Sequence, residues 1–368
     1  MKKVKIIALI LVLAMAGFML TACGGSDSSA PPSSSADAGA SESPAPSQAA
    51  PASDAGGGET FVMRIGTGTG GRHHQNVWME AYKEALEAAT DGRIEVQLYP
   101  AGQLGTMIEL VQGIVDGSIE AGCFPATYFS IIMPEVACLD LAFTFKDAEQ
   151  LWRILYYEDT MYQKAFEDNG IVIGAWLRNA DRTILSNFQI NSIDDLKGKV
   201  MWCIPSRVIQ EEVTLLGGTP SGIDTGEVAP AIQNGTVDGS VQDITLYRAQ
   251  NLHTAGAKYM LDAPTGALIT AFGVSQIWWD KLPADLQKIV GDVAKQVVID
   301  VQYPYVEEYC DDALETMIAE GMEVIEPSAQ LVSDLRDALA PQVEWFMGQT
   351  PSAKPMYDEL LQFVANDK

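Results

Sequence analysis

The chain has 368 residues, with 23 Lys and Arg against 49 Asp and Glu, a formal net charge of -26. Such a polyanion lacks the clustered basic side chains that phosphate contact needs, which argues against nucleic acid and against anionic lipid headgroups as partners. The length is too great for one small core and suits two lobes.

The first predicted element is a leader. Lys2, Lys3 and Lys5 precede an apolar run from Ile6 to Leu20. The run is shorter than the roughly 20 residues of a spanning helix, so residues 1–22 read as a secretory signal. Leu20-Thr21-Ala22-Cys23 resembles the lipobox of bacterial lipoproteins. That likeness implies acylation of the Cys23 thiol, and cleavage just before it. An ordinary cleavage site beside a chance Cys is the alternative. Residues 24–59 contain only Gly, Ser, Ala, Pro, Asp, Glu and Gln. They cannot bury enough apolar surface to offset the entropy of ordering, so 23–59 reads as a lipidated Cys on a flexible leash. The expected location is the extracytoplasmic face of a cell membrane, periplasmic where an outer membrane exists.

Beyond the leash, Phe61 to Ile65 reads as a strand, Gly66 to Gly71 as a Gly-rich loop, and Gln75 to Ala89 as a helix with apolar residues recurring in threes and fours. Arg93 to Tyr99 alternates as a strand and Pro100 closes it. Strand, helix and strand in that order predict a parallel sheet. Met107 to Asp116 is the next helix and Ile119 to Phe124 the next strand. Ile171 to Trp176 is a further apolar strand. Lys199 to Ile204 and Val208 to Leu216 form a strand and helix. Ala229 to Asn234 is a helix, followed by a short strand from Val237 to Val241. Ala284 to Gly321 is largely helical, with Pro304 expected to kink it, and long enough to run across both lobes. The picture is α/β with two sheets, and ligands in such folds sit where strand ends meet helix starts.

Gly66, Gly68 and Gly71 match the spacing of a dinucleotide fingerprint, but the next strand ends in Leu98-Tyr99-Pro100-Ala101 without the acid that would hold a ribose. No Lys follows the glycines, so a phosphate-cradling Walker loop fails too. The loop is left as one whose amides face a cleft and which can receive an anion at the helix start. Adjacent side chains on an extended segment point apart, so His73 and His74 read as a pair at the surface or cleft rim rather than as metal ligands. No nucleophile elbow or carboxylate pair stands out, and neither catalytic machinery, nor a cofactor, nor a metal is expected. Cys123, Cys138, Cys203 and Cys310 lack zinc spacing and read as buried free thiols in a compartment that permits disulfides. Arg178 and Arg182 directly follow the apolar strand, where an Arg suits a bidentate carboxylate clamp or, equally, a surface ion pair.

Five ordered stretches carry a resemblance. They are GRIEVQLYPAGQLG over 92–105, LDLAFTF over 139–145, SIDDLKG over 192–198, EVAPAIQNGTVDG over 227–239 and WDKLPADLQK over 279–288. Together they resemble the substrate-binding proteins of TRAP transporters, the DctP-like family, from about 61 to 326. The resemblance implies a two-lobed periplasmic-binding-protein-like fold with a hinge and a long helix spanning both lobes. Lobe I would be 60–180 completed by about 266–300. Lobe II would be 181–265 completed by about 301–368. It further implies capture of a small-molecule carboxylate for membrane subunits of a TRAP permease, without catalysis.

The family's principal Arg follows its equivalent of the SIDDLKG stretch, and Trp202 falls at that position here. A second family Arg falls on Arg182, and a family Asn on Gln242. The ligand-facing region after the third strand maps to Phe124, Pro125 and Tyr128. Expected ligand-facing residues are therefore Arg182, Trp202, Gln242, Phe124, Tyr128, Arg178 and His74. Trp offers a broad apolar face and one N–H donor, which points to an organic acid with an apolar or aromatic body and at most one carboxylate, held by Arg182; the alternative is that Trp202 merely fills a repacked cleft and Arg178 supplies the missing charge. Competing readings are a ligand-binding sensor, an ABC-type solute-binding protein and an exported α/β hydrolase.

Overall fold

The computed structural model describes residues 59–158 and 160–367. Cys23, the leader and most of the leash lie outside the described residues. The first elements are β1 (Phe61–Gly66), α1 (His74–Ala89), β2 (Ile94–Tyr99), α2 (Met107–Asp116) and β3 (Ala121–Pro125). Two 3-10 segments, Ala126–Ile131 and Pro134–Asp140, lead to α3 (Ala148–Tyr157) and α4 (Met161–Asp168). Then come β4 (Ile171–Ser186), β5 (Val200–Trp202), α5 (Arg207–Leu215), β6 (Thr219–Ser221), α6 (Val228–Gln233) and β7 (Gly239–Asp243). After α7 (Ile244–Ala249) and α8 (Leu252–Ala255) the chain forms β8 (Tyr259–Ser275), α9 (Gln276–Trp279), α10 (Ala284–Val297), α11 (Tyr303–Ala319) and β9 (Glu323–Ile325). Three helices end it: α12 (Ala329–Leu339), α13 (Gln342–Gln349) and α14 (Lys354–Asn366).

The β–α–β reading holds at the start of the domain, where β1 pairs in parallel with both β2 and β3. Strand β1 buries Met63 and Ile65 and turns Val62 outward, as period-two alternation requires. Helix α1 buries Trp78, Met79, Tyr82 and Leu86, one stripe of its surface. The Trp78 and Tyr82 rings stack at 4.7 Å, and Phe272 of β8 closes on Trp78 at 4.8 Å. Helix α2 begins in a capping box: Glu109 N donates to Thr106 Oγ1 at 3.3 Å, and Thr106 N donates to Glu109 Oε2 at 2.7 Å.

The expectation of two separate sheets is corrected. One mixed sheet runs β2-β1-β3-β8-β4-β7-β5-β6, with β9 beside β8. Its middle is the antiparallel pair β4 and β8, of 16 and 17 residues. At about 3.3 Å per residue each is roughly 50 Å long, enough to serve both halves of the sheet. Only the first six residues of β4 were read as strand, because Arg178, Asn179, Asp181 and Arg182 break the apolar pattern beyond Trp176. Register shifts between β4 and β8 fall at Ile173/Ala175, Arg178/Asp181 and Arg182/Ile184. Such irregularities bend a strand pair, and two of the three sit at this polar stretch.

Pro304 acts as expected on the long helix. It lies in the first turn of α11, directly after a π-helical segment, Val298–Gln302. Proline cannot donate to the carbonyl four residues back and its ring crowds that carbonyl, so the turn before it widens. On one side of the break α10 packs on α1, where Trp78 Nε1 and Tyr82 OH each donate to an α10 carbonyl at 3.3 Å. On the other side α11 packs on α7. The three C-terminal helices escaped the sequence reading. Gln342 of α13 ties them in: its Oε1 accepts from Ala142 N at 2.8 Å, and its Nε2 donates to Val208 O at 2.9 Å. Cys123, Cys138, Cys203 and Cys310 are free thiols, the first three buried.

Candidate ligand-binding site

A cavity of about 20 Å³ lies where strands end and helices begin. Thr69, His73 and Gln75 enter it from the loop after β1 and the start of α1, and Met107 from α2. Pro125 comes from the end of β3, Tyr128 from the 3-10 segment after it, and Asn179 from β4. Trp202 ends β5 and Ile204 follows it, Thr225 follows β6, and Gln242, Asp243 and Leu246 occupy the junction of β7 and α7. Both halves of the sheet therefore contribute. The space is enough for about one water molecule, so an organic solute enters only when these walls part.

A groove of about 880 Å³ lies beside it, lined by Gly68, Gly70, Gly71 and Arg72 on one side and by Arg248, Asn251, Tyr305 and Tyr309 on the other. Gly68 lines the groove and its neighbour Thr69 lines the cavity. Gly71 has φ 61°, a left-handed conformation that glycine adopts at no steric cost. The Gly-rich loop thus serves as a wall shared by groove and cavity. The cavity gathers its side chains where the strands of both halves of the sheet end, the place where ligands sit in open α/β folds, and on that ground it is the candidate site and the groove its approach.

The histidine expectation is corrected: both residues are buried, not at the surface or rim. Burial pushes His73 down to about 3 and His74 well below the usual imidazole range, with His73 adding to the shift of His74. His73 Nδ1 accepts from Gln75 N at 3.4 Å, capping α1. Thr245 Oγ1 donates to Asp243 Oδ1 at 2.6 Å and lies 3.3 Å from His73 Nε2. Its own proton is committed to a carboxylate, so it accepts from the His73 Nε2–H, and the ring is a neutral tautomer. His74 sits behind it, its Nδ1 3.1 Å from Gln302 Nε2, and does not line the cavity.

Of the residues expected from sequence, Trp202, Gln242 and Tyr128 line the cavity together. Trp202 is 1% exposed and its Nε1 donates to Ile223 O at 2.9 Å. Burial pushes the Tyr128 phenol up to about 12, so it stays a neutral donor. Phe124 lies in the core, stacked on Phe129 at 5.0 Å. Arg178 pairs with Glu307 at 3.3 Å and sits over the Tyr303 ring.

Arg182, expected to clamp a carboxylate from the solute, is held by one from the protein. Its Nη2 donates to Glu212 Oε2 at 2.6 Å and to Asp140 O at 2.9 Å, and both side chains of the ion pair are fully buried. Glu212 Oε1 accepts from Thr265 Oγ1 at 2.6 Å. Asp140 Oδ2 accepts from Ser206 Oγ at 2.8 Å and from Thr127 Oγ1. Burial raises the Asp140 carboxyl above its usual range, against the pull of Arg182. None of these side chains lines the cavity.

Sequence reasoning missed Asn179 and Asp243. Asp243 accepts from Leu246 N at 3.0 Å as the cap of α7, and from Asn179 Nδ2 at 3.3 Å. An Asp just before a helix is a cap signal, but nothing in an acidic chain marks one Asp as facing a cavity. Among the described residues no group of three or more His, Cys, Asp or Glu is placed to hold a metal ion, and no helix is long and apolar enough to cross a membrane.

Residues 66–349 match the family described as bacterial extracellular solute-binding protein, family 7. The C4-dicarboxylate-binding periplasmic protein DctP of Rhodobacter capsulatus is 27% identical over 208 residues, which cover 56% of this chain and 62% of that protein. A TRAP periplasmic solute-binding protein of Chromohalobacter salexigens, solved with bound D-glucuronate, superposes with a TM-score of 0.78 at 17% identity, covering 82% of this chain and 99% of the other. Another from Haemophilus influenzae, with bound L-gulonate, gives 0.77 at 21% identity, over 83% and 100%. The shared fold is the two-lobed α/β fold expected from the sequence. The chain belongs to family 7 of the bacterial extracellular solute-binding proteins.

Proposed function

We propose that the chain is a lipid-anchored receptor that captures a small organic acid with an apolar or aromatic body and passes it to the membrane subunits of a TRAP-type secondary transporter, without chemical turnover. The observation that carries this reading is the cavity at the strand ends, where Trp202, Tyr128, Pro125 and Ile204 offer apolar faces and Gln242, Asn179 and Thr225 offer polar groups. The lobes would be 60–180 completed by about 266–300, and 181–265 completed by about 301–368. The hinge would lie where β4 slips register against β8, and closure would shift a preexisting equilibrium. The relatives with bound uronic and aldonic acids support the organic acid class.

The test starts from the solute that co-purifies with the full chain. Added back at 100 times its Kd it is expected to stabilise the folded state by about 2.7 kcal/mol, seen as a concentration-dependent rise in Tm, and to be recovered chemically unchanged. Recovery of a converted product would point to an enzyme instead. The anchor is tested separately. Cys23→Ser is expected to move the protein from the membrane fraction to the soluble extracytoplasmic fraction, and unchanged membrane retention would remove the lipid from the proposal.

A further inference from the structure

We propose that the solute brings a hydrogen-donating nitrogen, above all a protonated amine, to Asp243 and Asn179, so that the organic acid accepted here is a zwitterion with no net charge. This rests on the reading of the cavity as the solute site. The charges around that cavity differ from what a simple carboxylate needs. Among the described residues lining it there is no Arg or Lys, and its one carboxylate is Asp243. His73 is neutral by the hydrogen-bond argument given above. Arg182 and Arg178 are engaged by Glu212 and Glu307 and do not line the space. A carboxylate entering alone would be buried without a cation and beside a like charge, a costly arrangement.

The hydrogen bonds point the same way. A carboxylate offers about four acceptor positions. On Asp243, Thr245 Oγ1 and Leu246 N occupy Oδ1, and Asn179 Nδ2 takes one position on Oδ2. Room for one more donor remains on Oδ2. The Asn179 amide turns its NH2 toward Asp243 Oδ2, which leaves the Asn179 Oδ1 facing elsewhere. That oxygen is buried and has no partner. Burial raises the Asp243 carboxyl, and a cation beside it favours the ionised form, which only accepts. Asn179 and Asp243, bonded to each other in the cavity wall, thus hold two acceptors that want donors, and the Asn179 oxygen becomes reachable when the walls part. An ammonium supplies three. The opposite need is met close by. Gln242 Oε1 accepts from Asp243 N at 3.2 Å, which fixes that amide so that its NH2 points away and is free to donate to an oxygen. A solute with an amine at one end of a short spacing and a carboxylate at the other satisfies both without a protein cation.

Two matched panels test this on the full chain by thermal shift and calorimetry. One holds amino acids and their N-methylated forms. The other holds the corresponding des-amino acids together with malate and D-glucuronate. Hits are expected in the first panel. The best of them is expected to lose at least about 30-fold in affinity in Asp243→Asn, the loss of one partner of a buried charge pair. Asn caps a helix as well as Asp does, so α7 is expected to survive the change. A readout that needs no variant is the composition of the solute extracted from wild-type protein, expected to contain a basic nitrogen. A best binder without nitrogen, or Asp243→Asn binding within about threefold of wild type, overturns the zwitterion and leaves solute capture standing. No binder in either panel and no extracted solute overturns the capture reading and this inference with it.

Discussion

Arg182→Met is expected to remove about 3–5 kcal/mol of folding stability near neutral pH, the usual result of leaving a buried charge without its partner. The cluster around it holds one cation, Arg182, and two carboxylates, Asp140 and Glu212, all buried. Removing the cation leaves two acids that cannot both stay ionised without compensation. The sign of the pH dependence follows. Burial already holds the Asp140 carboxyl above its unfolded value, and the nearby Glu212 adds to the rise while Arg182 opposes it. Without Arg182 the folded state holds protons to still higher pH than the unfolded chain does. A group of this kind loses its contribution as pH rises through its folded pKa, so the deficit of the variant grows with pH and shrinks as acid protonates Asp140. Urea unfolding of variant and wild type near pH 5 and near pH 7.5 reads the difference. The double variant with Glu212→Gln is expected to regain part of the loss, since the amide keeps an acceptor for Thr265 and carries no charge. A deficit below about 1 kcal/mol at both pH values would show that the cluster is not held together by its charges.

The same cluster shows where the sequence stops being readable. The first strands and helices were legible because apolar residues recur at periods of 2 and 3.6 and because caps such as Thr106 and turns such as Asp91-Gly92 mark their ends. The second half of β4 was not, since Arg178 to Arg182 put polar side chains into a strand whose neighbours satisfy them only in three dimensions. Glu212 is 30 positions from Arg182 on another element, and no local pattern announces that they meet. An Arg at a strand end reads the same whether it awaits a solute or is already paired. In the site itself, Trp202, Gln242 and Tyr128 were legible through family resemblance, and the fold brings them together at one cavity. Asp243 and Asn179 lie beside residues that were singled out, yet their orientation depends on hydrogen bonds that only the folded chain fixes.

Trp202 is where stability and specificity are expected to part. Trp202→Ala deletes a side chain that is 1% exposed, and such truncations cost about 3–5 kcal/mol through lost transfer energy and the cavity left behind. It also leaves the Ile223 carbonyl without the donor it now has at 2.9 Å. Trp202→Phe keeps most of the apolar face and loses the donor with a little ring volume, so it is expected to cost about 1–3 kcal/mol. The two variants separate packing from recognition when affinity for the co-purifying solute is measured well below both melting points. If the indole lies against an apolar or aromatic body, Trp202→Phe is expected to stay within about tenfold of wild type, while Trp202→Ala falls further, by roughly the 0.5–1.5 kcal/mol of a ring contact plus the area it no longer buries. The enlarged cavity gives a second signature: Trp202→Ala is expected to gain affinity for bulkier members of the same chemical class. Equal affinity in wild type and Trp202→Ala, for small and bulky solutes alike, would mean that the ring only fills space behind the site, and that Gln242, Asn179 and Asp243 set the choice of solute.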